Sequence, residues 1–196
     1  MKNEDNNTTY EIPIIEGHNP SSYFWIMPVI VKNEEELLLR QETFLDDVIS
    51  IEEDYVFTYL APFLKRHFDE NHWCNIARDR VQYGETVRYG FEWHDDNFYY
   101  YDRLELMLCE IELVARLLEI DYDNPILDKY KENFSIYFLL SDEEQAELKA
   151  RWGVNQKKEI ESRKDRIIDF YRRFVSRMRK MMENYPETNM IDICGP

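Results

Sequence analysis

A long apolar segment in the middle of the chain constrains the fold most. Between Asp102 and Ile120, apolar residues recur at the spacing of one α-helical face and then spread to both sides of it. The face is formed by Leu104, Leu108, Ile111, Ala115 and Leu118, and it is widened by Leu106, Met107, Leu113, Val114 and Leu117. Because apolar side chains occupy so much of the helix circumference, we predict a central, buried helix.

Two further helices are predicted before it. Asn33 is a good N-cap that precedes three glutamates, and apolar residues at helical spacing continue to Ile49. A second helix is expected to begin at Ser50, where Glu53 completes a capping box. Pro62 should kink or restart this second helix, because proline cannot occupy a helix interior without loss of a hydrogen bond.

The last predicted helix, from about residue 155 to residue 185, has two different sides. One side is an apolar seam whose spacing alternates between three and four residues: Ile167, Tyr171, Phe174, Met178, Met181 and Tyr185. The opposite side is basic, with Arg166, Arg173, Arg177 and Lys180. We expect the seam to pack in the domain and the arginines to meet acidic groups of neighbouring helices. Pairing of the seam with a second copy of the chain is the alternative.

The less helical parts of the chain predict short extended segments. Apolar residues interrupted by prolines between Tyr10 and Val31 indicate edge strands or extended chain over the core. Around residues 88–101, two aromatic-rich runs flank the polar turn His94–Asn97, which is typical of a β-hairpin.

Together these patterns predict a mainly α, compact multi-helix domain around the buried central helix, with a small β-hairpin and extended N-terminal segments. An α+β domain with a larger antiparallel sheet is the alternative. We expect a disordered polar tail over residues 1–10, a single globular domain over 11–185 and a C-terminal extension over 186–196.

Charge is divided unevenly along the chain. Residues 1–148 carry 33 Asp and Glu against 12 Lys and Arg, whereas residues 149–196 carry 7 against 12. The net charges of −21 and +5 predict a strongly acidic body that nucleic-acid phosphates and anionic lipids would repel. A basic protein is therefore the expected partner, and neither nucleic acid nor membrane is expected.

Several other classes of protein are disfavoured by the sequence. The polar N-terminus does not resemble a secretory signal, and the longest apolar run, from Tyr23 to Val31, is too short for a membrane span. Five dispersed glycines provide no phosphate-binding loop. Three widely spaced cysteines, Cys74, Cys109 and Cys194, fit reduced thiols in the cytoplasm, so we expect a cytoplasmic protein without a cofactor.

The best candidate for a partner-binding surface is the acidic, tyrosine-rich stretch that follows residue 94. Tyrosine rings supply contact area at low entropic cost, and neighbouring carboxylates steer a basic partner. The residues chosen on this basis are Asp95, Asp96, Tyr99, Tyr101 and Asp102.

A metal site is the alternative use of the same region. Glu92, His94 and Asp96 would share one face of an extended segment, and a carboxylate–histidine–carboxylate face can ligate a metal. Asp95 to Asn97 are also the residues that a polar turn requires, and the turn is the favoured interpretation. His67 and His72 are five residues apart, which would place them on different faces of a helix, so a solvated helix end is expected there.

The sequence therefore favours a non-enzymatic, acidic, cytoplasmic binding protein. Inhibitors of nucleases and toxins, of the antitoxin or immunity type, use an acidic surface against a positive cleft, and this analogy rests on charge alone. The alternatives are a metal-assisted hydrolase built on Glu92, His94 and Asp96, and a structural subunit of a larger assembly.

Overall fold

An antiparallel sheet of six short strands runs through the molecule. The computed structural model describes residues 11–19, 22–39, 42–84, 90–131 and 164–196. The strands are β1 (Ile15–Glu16), β2 (Tyr23–Ile30), β3 (Thr43–Phe44), β4 (Ile49–Glu52), β5 (Phe98–Tyr100) and β6 (Met190–Cys194). Their order is β1-β4-β2-β6-β5, and β3 pairs with the far end of β2.

Helices surround this sheet. They are α1 (Glu34–Leu38), α2 (Glu53–Tyr55), a π-helical turn (Val56–Leu60), α3 (Ala61–His67), α4 (Trp73–Tyr83), α5 (Tyr101–Ile120), a 3₁₀ turn (Pro125–Leu127), α6 (Asp128–Lys131) and α7 (residues 164–184). Helices account for 54% and strands for 17% of the structure. The prediction of a mainly α domain is therefore wrong, and the fold is the α+β alternative with a larger antiparallel sheet.

The sheet separates two apolar cores. Alternation along β2 sends Phe24 and Ile26 into the main core with α3, α5 and α7, whereas Val29 joins the second core. That smaller core lies against α1 and α4 and includes Leu37 and Ala77. The buried polar residues of the sheet, Ser50 and Asp192, lie on this second face.

Strand β2 lies inside the sheet although it contains a proline. Pro28 lies at the point where the partner on one side of β2 changes from β4 to β3, and its carbonyl accepts from Leu45 N at 3.0 Å. The missing N–H of Pro28 therefore faces this gap and removes no hydrogen bond from the ladder with β6. The expectation that this segment is an edge strand is wrong for that reason.

The central helix is confirmed, with one difference in its burial. Helix α5 places seven residues in the main core: Leu104, Met107, Leu108, Ile111, Val114, Ala115 and Leu118. Leu106 and Leu113, which were expected to widen the buried face, are 56% and 49% exposed. The helix is therefore buried along one face and not around its circumference.

The helix predicted from Asn33 to Ile49 is much shorter than expected. Asn33 caps α1 as predicted, and its Oδ1 accepts from Glu36 N at 3.0 Å. The helix ends at Leu38, and β3 and β4 follow. Ser50 lies in β4 and its hydroxyl donates to Gly17 O at 2.6 Å, so it does not cap the second helix. Pro62 lies in the first turn of α3, in agreement with a restart.

The hairpin predicted around residues 88–101 is also wrong in its pairing. The described part, residues 90–97, forms bends and turns, and β5 pairs with β6 and not with the segment before the turn. Strand β6, from within the predicted C-terminal extension, lies between β2 and β5. The chain end is thus an interior part of the sheet.

Most arginines of α7 face acidic groups of the body. Arg177 binds Glu16 through two hydrogen bonds of 2.8 and 2.9 Å and also contacts Asp47. Arg179 binds Glu105 and Glu112 of α5, and Arg172 binds Glu119, while Arg173 pairs with Asp169. Of the basic residues named in the prediction, Arg177 meets acidic groups of the body, which lie on β1 and in the loop before β4 and not on helices, whereas Arg173 pairs within α7 itself. Five of the six seam residues, all but Tyr185, are buried in the main core of their own chain.

Some predictions concern parts of the chain outside the described residues. These are the polar tail over residues 1–10 and the beginning of the last helix, residues 155–163. Among the helices that the structure describes, none combines the length and apolarity needed to cross a membrane.

Candidate functional site

A cleft of about 520 Å³ opens where α3, β5 and α5 meet. Its walls are the end of α3, the loop before α4, β5 and the first turn of α5. The lining residues are His67, Asp69, His72, Phe98, Tyr99, Tyr100, Tyr101, Asp102, Arg103 and Asn189. The volume lies in the range of ligand pockets, about 300–1,000 Å³.

The loop from Phe68 to His72 forms one wall because α3 ends abruptly. Phe68 has an extended backbone, and the next helix begins only at Trp73. His72 is the N-cap of that helix, and its Nδ1 accepts a hydrogen bond from Cys74 N at 3.2 Å. This bond leaves the ring proton of His72 on Nε2.

His72 lies against an aromatic ring within the cleft. The centroid of its ring is 3.9 Å from that of Tyr100. Burial lowers the pKa of His72, although Asp69 and Asp102 act in the opposite direction. The imidazole is therefore neutral at pH 7, and it contributes a donor and an apolar surface but no charge.

His67 is fixed at the base of the cleft by a carboxylate from α5. Its Nε2 lies 2.6 Å from Glu110 Oε2, and Glu110 Oε1 accepts from Arg66 at 2.6 Å and from the hydroxyl of Tyr130. Burial raises the pKa of Glu110, but the hydrogen bonds from Tyr130 and His67 outweigh it and hold that pKa below its ordinary value. Glu110 is thus a charged anchor for the histidine.

Two carboxylates and one guanidinium lie at the mouth of the cleft. Asp69 accepts from Asn71 N at 3.1 Å, and Asp102 accepts from Arg103 N at 2.8 Å. Arg103 lies 3.8 Å from Asp69 and is half exposed. The ring of Tyr101 lines the wall beside them, while its hydroxyl donates to Tyr185 O at 2.7 Å. The mouth therefore carries an excess of negative charge next to aromatic surface.

The structure separates the five residues that the sequence proposed for partner binding. Tyr101 and Asp102 line the cleft. Tyr99 is buried, with its hydroxyl donating to Leu64 O at 2.9 Å, and Asp95 is buried in the turn before β5. Asp96 is half-buried in the same turn and does not line the cleft. Three of the five residues, Tyr99, Tyr101 and Asp102, thus line the cleft, and Tyr99 is the buried one of the three.

The alternative metal ligands Glu92, His94 and Asp96 are not brought together. Among the described residues their ligand atoms do not form a group that could surround one ion. The side chain of Glu92 accepts from Trp93 N, and His94 Nδ1 faces Pro196 O at 3.3 Å. The polar-turn interpretation of this segment agrees with the structure, because Asn97 Oδ1 accepts from Glu92 N at 2.8 Å and closes the turn.

Sequence reasoning missed Asp69, His72 and Asn189 as parts of one site. The spacing of His67 and His72 was evaluated on a continuous helix, but the chain leaves the helix between them and both line the cleft. The run Asp69–Asn71, which is poor in helix formers, was the available signal for that break. No local pattern marks Asn189, since it reaches the cleft through the pairing of β6 with β5.

Comparison with known proteins identifies no relative. No family model matches the sequence, and neither a curated protein nor a solved structure is significantly similar to it.

Proposed function

We propose that this chain is a cytoplasmic, non-enzymatic binding protein that receives a basic segment of a protein partner in the cleft and inhibits that partner. The observation that carries the proposal is the acidic, aromatic mouth of the cleft, formed by Asp69, Asp102 and Tyr101. Carboxylates attract a lysine or arginine, and an aromatic wall adds cation–π attraction and apolar contact for its stem.

The charge of the whole molecule supports the same partner. The formal net charge is −16, and the arginines of α7 are largely engaged with acids of the body. The uncompensated negative charge gives a field that attracts basic proteins and speeds their encounter. A partner with a positive, phosphate-binding cleft is the kind of protein that such a field selects.

The proposal is tested by removing the two carboxylates at the mouth. The full-length protein is immobilised, the partner is captured from the cell that makes it, and the Kd of the purified complex is measured. We expect the double variant Asp69→Asn, Asp102→Asn to weaken binding at least about tenfold, because two charged contacts are lost.

Glu119→Gln is the matched control. It removes a carboxylate from the same helix as Asp102, 17 residues further along, which corresponds to about 26 Å. Asp102 lies in the first turn of α5, where a carboxylate contributes up to about 1 kcal/mol to helix stability, so thermal unfolding of each variant is measured in parallel. Equal affinities of the double variant and the control, or capture of partners that are not basic, would contradict the proposal.

A further inference from the structure

A second polar cluster, which shares no residue with the lining of the cleft, lies on the face of the sheet that carries the second core. Asp192 and Cys194 are two residues apart on β6, so their side chains point to the same face. Asp192 is opposite Phe98 in the ladder with β5, and Asp96 precedes Phe98 by two residues. Carboxylate oxygens of Asp96 and Asp192 and the sulfur of Cys194 all lie within 4.8 Å of one another.

Asp192 is completely buried and only partly satisfied. Its Oδ1 accepts from Asn97 N at 2.9 Å, but its Oδ2 has no hydrogen-bond partner among the described residues. An unpartnered carboxylate oxygen in a protein interior is unfavourable, and native structures seldom keep one without a proton or a cation. Asp192 Oδ2 therefore indicates a missing positive group, independently of the short distances between Asp96, Asp192 and Cys194.

The neighbouring donors are already used by other acceptors. Arg78 donates to Asp79, to Asn97 Oδ1 and to the carbonyls of Asp96 and Gly90. The side-chain amide of Asn97 donates to carbonyls at 2.7, 2.8 and 3.0 Å. These bonds fix the turn before β5 against β6, so the backbone that carries Asp96, Asp192 and Cys194 is held in place. Such support is what a preorganised ligand set requires.

The donor set defines the class of ion. A thiolate with two carboxylates suits zinc and related divalent transition metals, whereas magnesium and calcium prefer oxygen ligands alone. Tetrahedral zinc with bonds of about 2.0–2.3 Å places its ligand atoms about 3.3–3.8 Å apart, and the three candidate ligand atoms here lie within 4.8 Å of one another. Asp96 and Cys194 are half-buried, so the cluster lies close to solvent.

We propose that Asp96, Asp192 and Cys194 form a binding site for a divalent transition metal of the zinc class. Binding forms a metal–sulfur bond and releases the thiol proton to solvent, with no change of oxidation state. The ion would join the turn before β5 to the C-terminal strand. This site is separate from the cleft and does not depend on its proposed function.

The test uses cobalt(II) as a spectroscopic probe. The full-length protein is treated with a chelator, dialysed and titrated with Co²⁺ alone. We expect one Co²⁺ per chain and a thiolate-to-cobalt charge-transfer band in the near ultraviolet, which Zn²⁺ abolishes by displacement. Zn²⁺ should also raise the melting temperature of the wild-type protein, because the ion binds the folded state.

Variants identify the ligands. Cys194→Ser should remove the charge-transfer band, whereas Cys109→Ser, which changes an exposed thiol on α5, should retain it. Asp192→Asn keeps the shape of the side chain and should weaken Co²⁺ binding by more than the roughly tenfold to hundredfold typical of a supporting residue.

Three results would overturn the proposal. The first is the absence of stoichiometric metal binding. The second is a band that persists in Cys194→Ser. The third is a Zn²⁺-induced rise in melting temperature that is as large in Cys194→Ser as in the wild type, because stabilisation would then come from another site.

Discussion

Glu110 shows how a single carboxylate can organise one side of the cleft. Its side chain is 16% exposed, and it faces Arg66, His67, Lys129 and the hydroxyl of Tyr130. Hydrogen bonds to an ionised group are about twice as strong as those between neutral groups. The orientation of His67 therefore depends on the charge of a residue on a different helix.

The charge of Glu110 predicts a loss of stability in acid. Because its folded-state pKa lies below its ordinary value of 4.5, its stabilisation is complete above about pH 5 and is lost as the pH falls through the folded-state pKa. Glu110→Gln should lower the free energy of unfolding by about 1–2 kcal/mol at pH 7 and by much less near pH 3. Urea unfolding across this pH range measures the difference, and a deficit that stays constant with pH would contradict the assignment.

Helix α7 connects the edge strand β1 to the central helix through charge as well as apolar contact. Its arginines differ in burial: the side chain of Arg177 is 16% exposed, whereas that of Arg172 is 57% exposed. Exposed ion pairs contribute little to stability because water and salt screen them, while removal of one partner from a buried pair leaves an uncompensated charge.

Two matched substitutions on α7 test this difference. Arg177→Gln should lower the free energy of unfolding by about 1–3 kcal/mol, because Asp47 and Glu16 lose their partner. Arg172→Gln should change it by less than about 0.5 kcal/mol. Urea denaturation of both variants at pH 7 gives the comparison, and effects of equal size would show that burial does not determine the contribution.

Elements with a long periodic pattern could be predicted from the sequence, and elements defined by remote partners could not. Helix α5 was evident because its buried face repeats over five turns. Strand β3 has two residues and β4 has four, too few to show alternation, and their partners lie elsewhere in the chain. Apolar residues between Asn33 and Ile49 also fit a helical spacing. The spacing alone therefore predicts one long helix where the chain forms α1, β3 and β4.

The candidate site was predictable only in part for the same reason. Tyr101 and Asp102 were found because aromatic and acidic residues are adjacent in the sequence. Strand β5 was placed in a local hairpin, although its partner β6 is about 90 residues away. In strand β6, the two-residue spacing of Asp192 and Cys194 places both side chains on the same face of the sheet. In an irregular C-terminal extension, the same spacing would not predict a shared face.

At the scale of the whole molecule, the chain end completes the sheet. Strand β6 contributes the buried residues Met190, Ile191 and Ile193 and lies between the N-terminal strand β2 and the short strand β5. Without β6, both neighbouring strands would lose a partner and both apolar cores would be exposed. Folding therefore requires contact between residues near the two ends of the chain.

Removal of this strand should prevent folding. A chain that ends at Tyr185 should show no cooperative unfolding transition in urea, because it lacks an interior strand. Ile193→Ala is a milder change in the same strand. It should lower the free energy of unfolding by about 2–5 kcal/mol, as expected for a fully buried isoleucine. A truncated chain that unfolds as cooperatively as the full-length protein would contradict the assigned topology.

An acidic field and an acidic cleft should together attract a basic partner. The association rate constant of the full-length protein with its captured partner, measured as a function of ionic strength, tests this attraction. We expect the rate to fall at least about tenfold between about 50 mM and about 500 mM salt, and the dependence to be weaker for Asp69→Asn, Asp102→Asn. A rate that does not change with salt would show that charge does not bring the two proteins together.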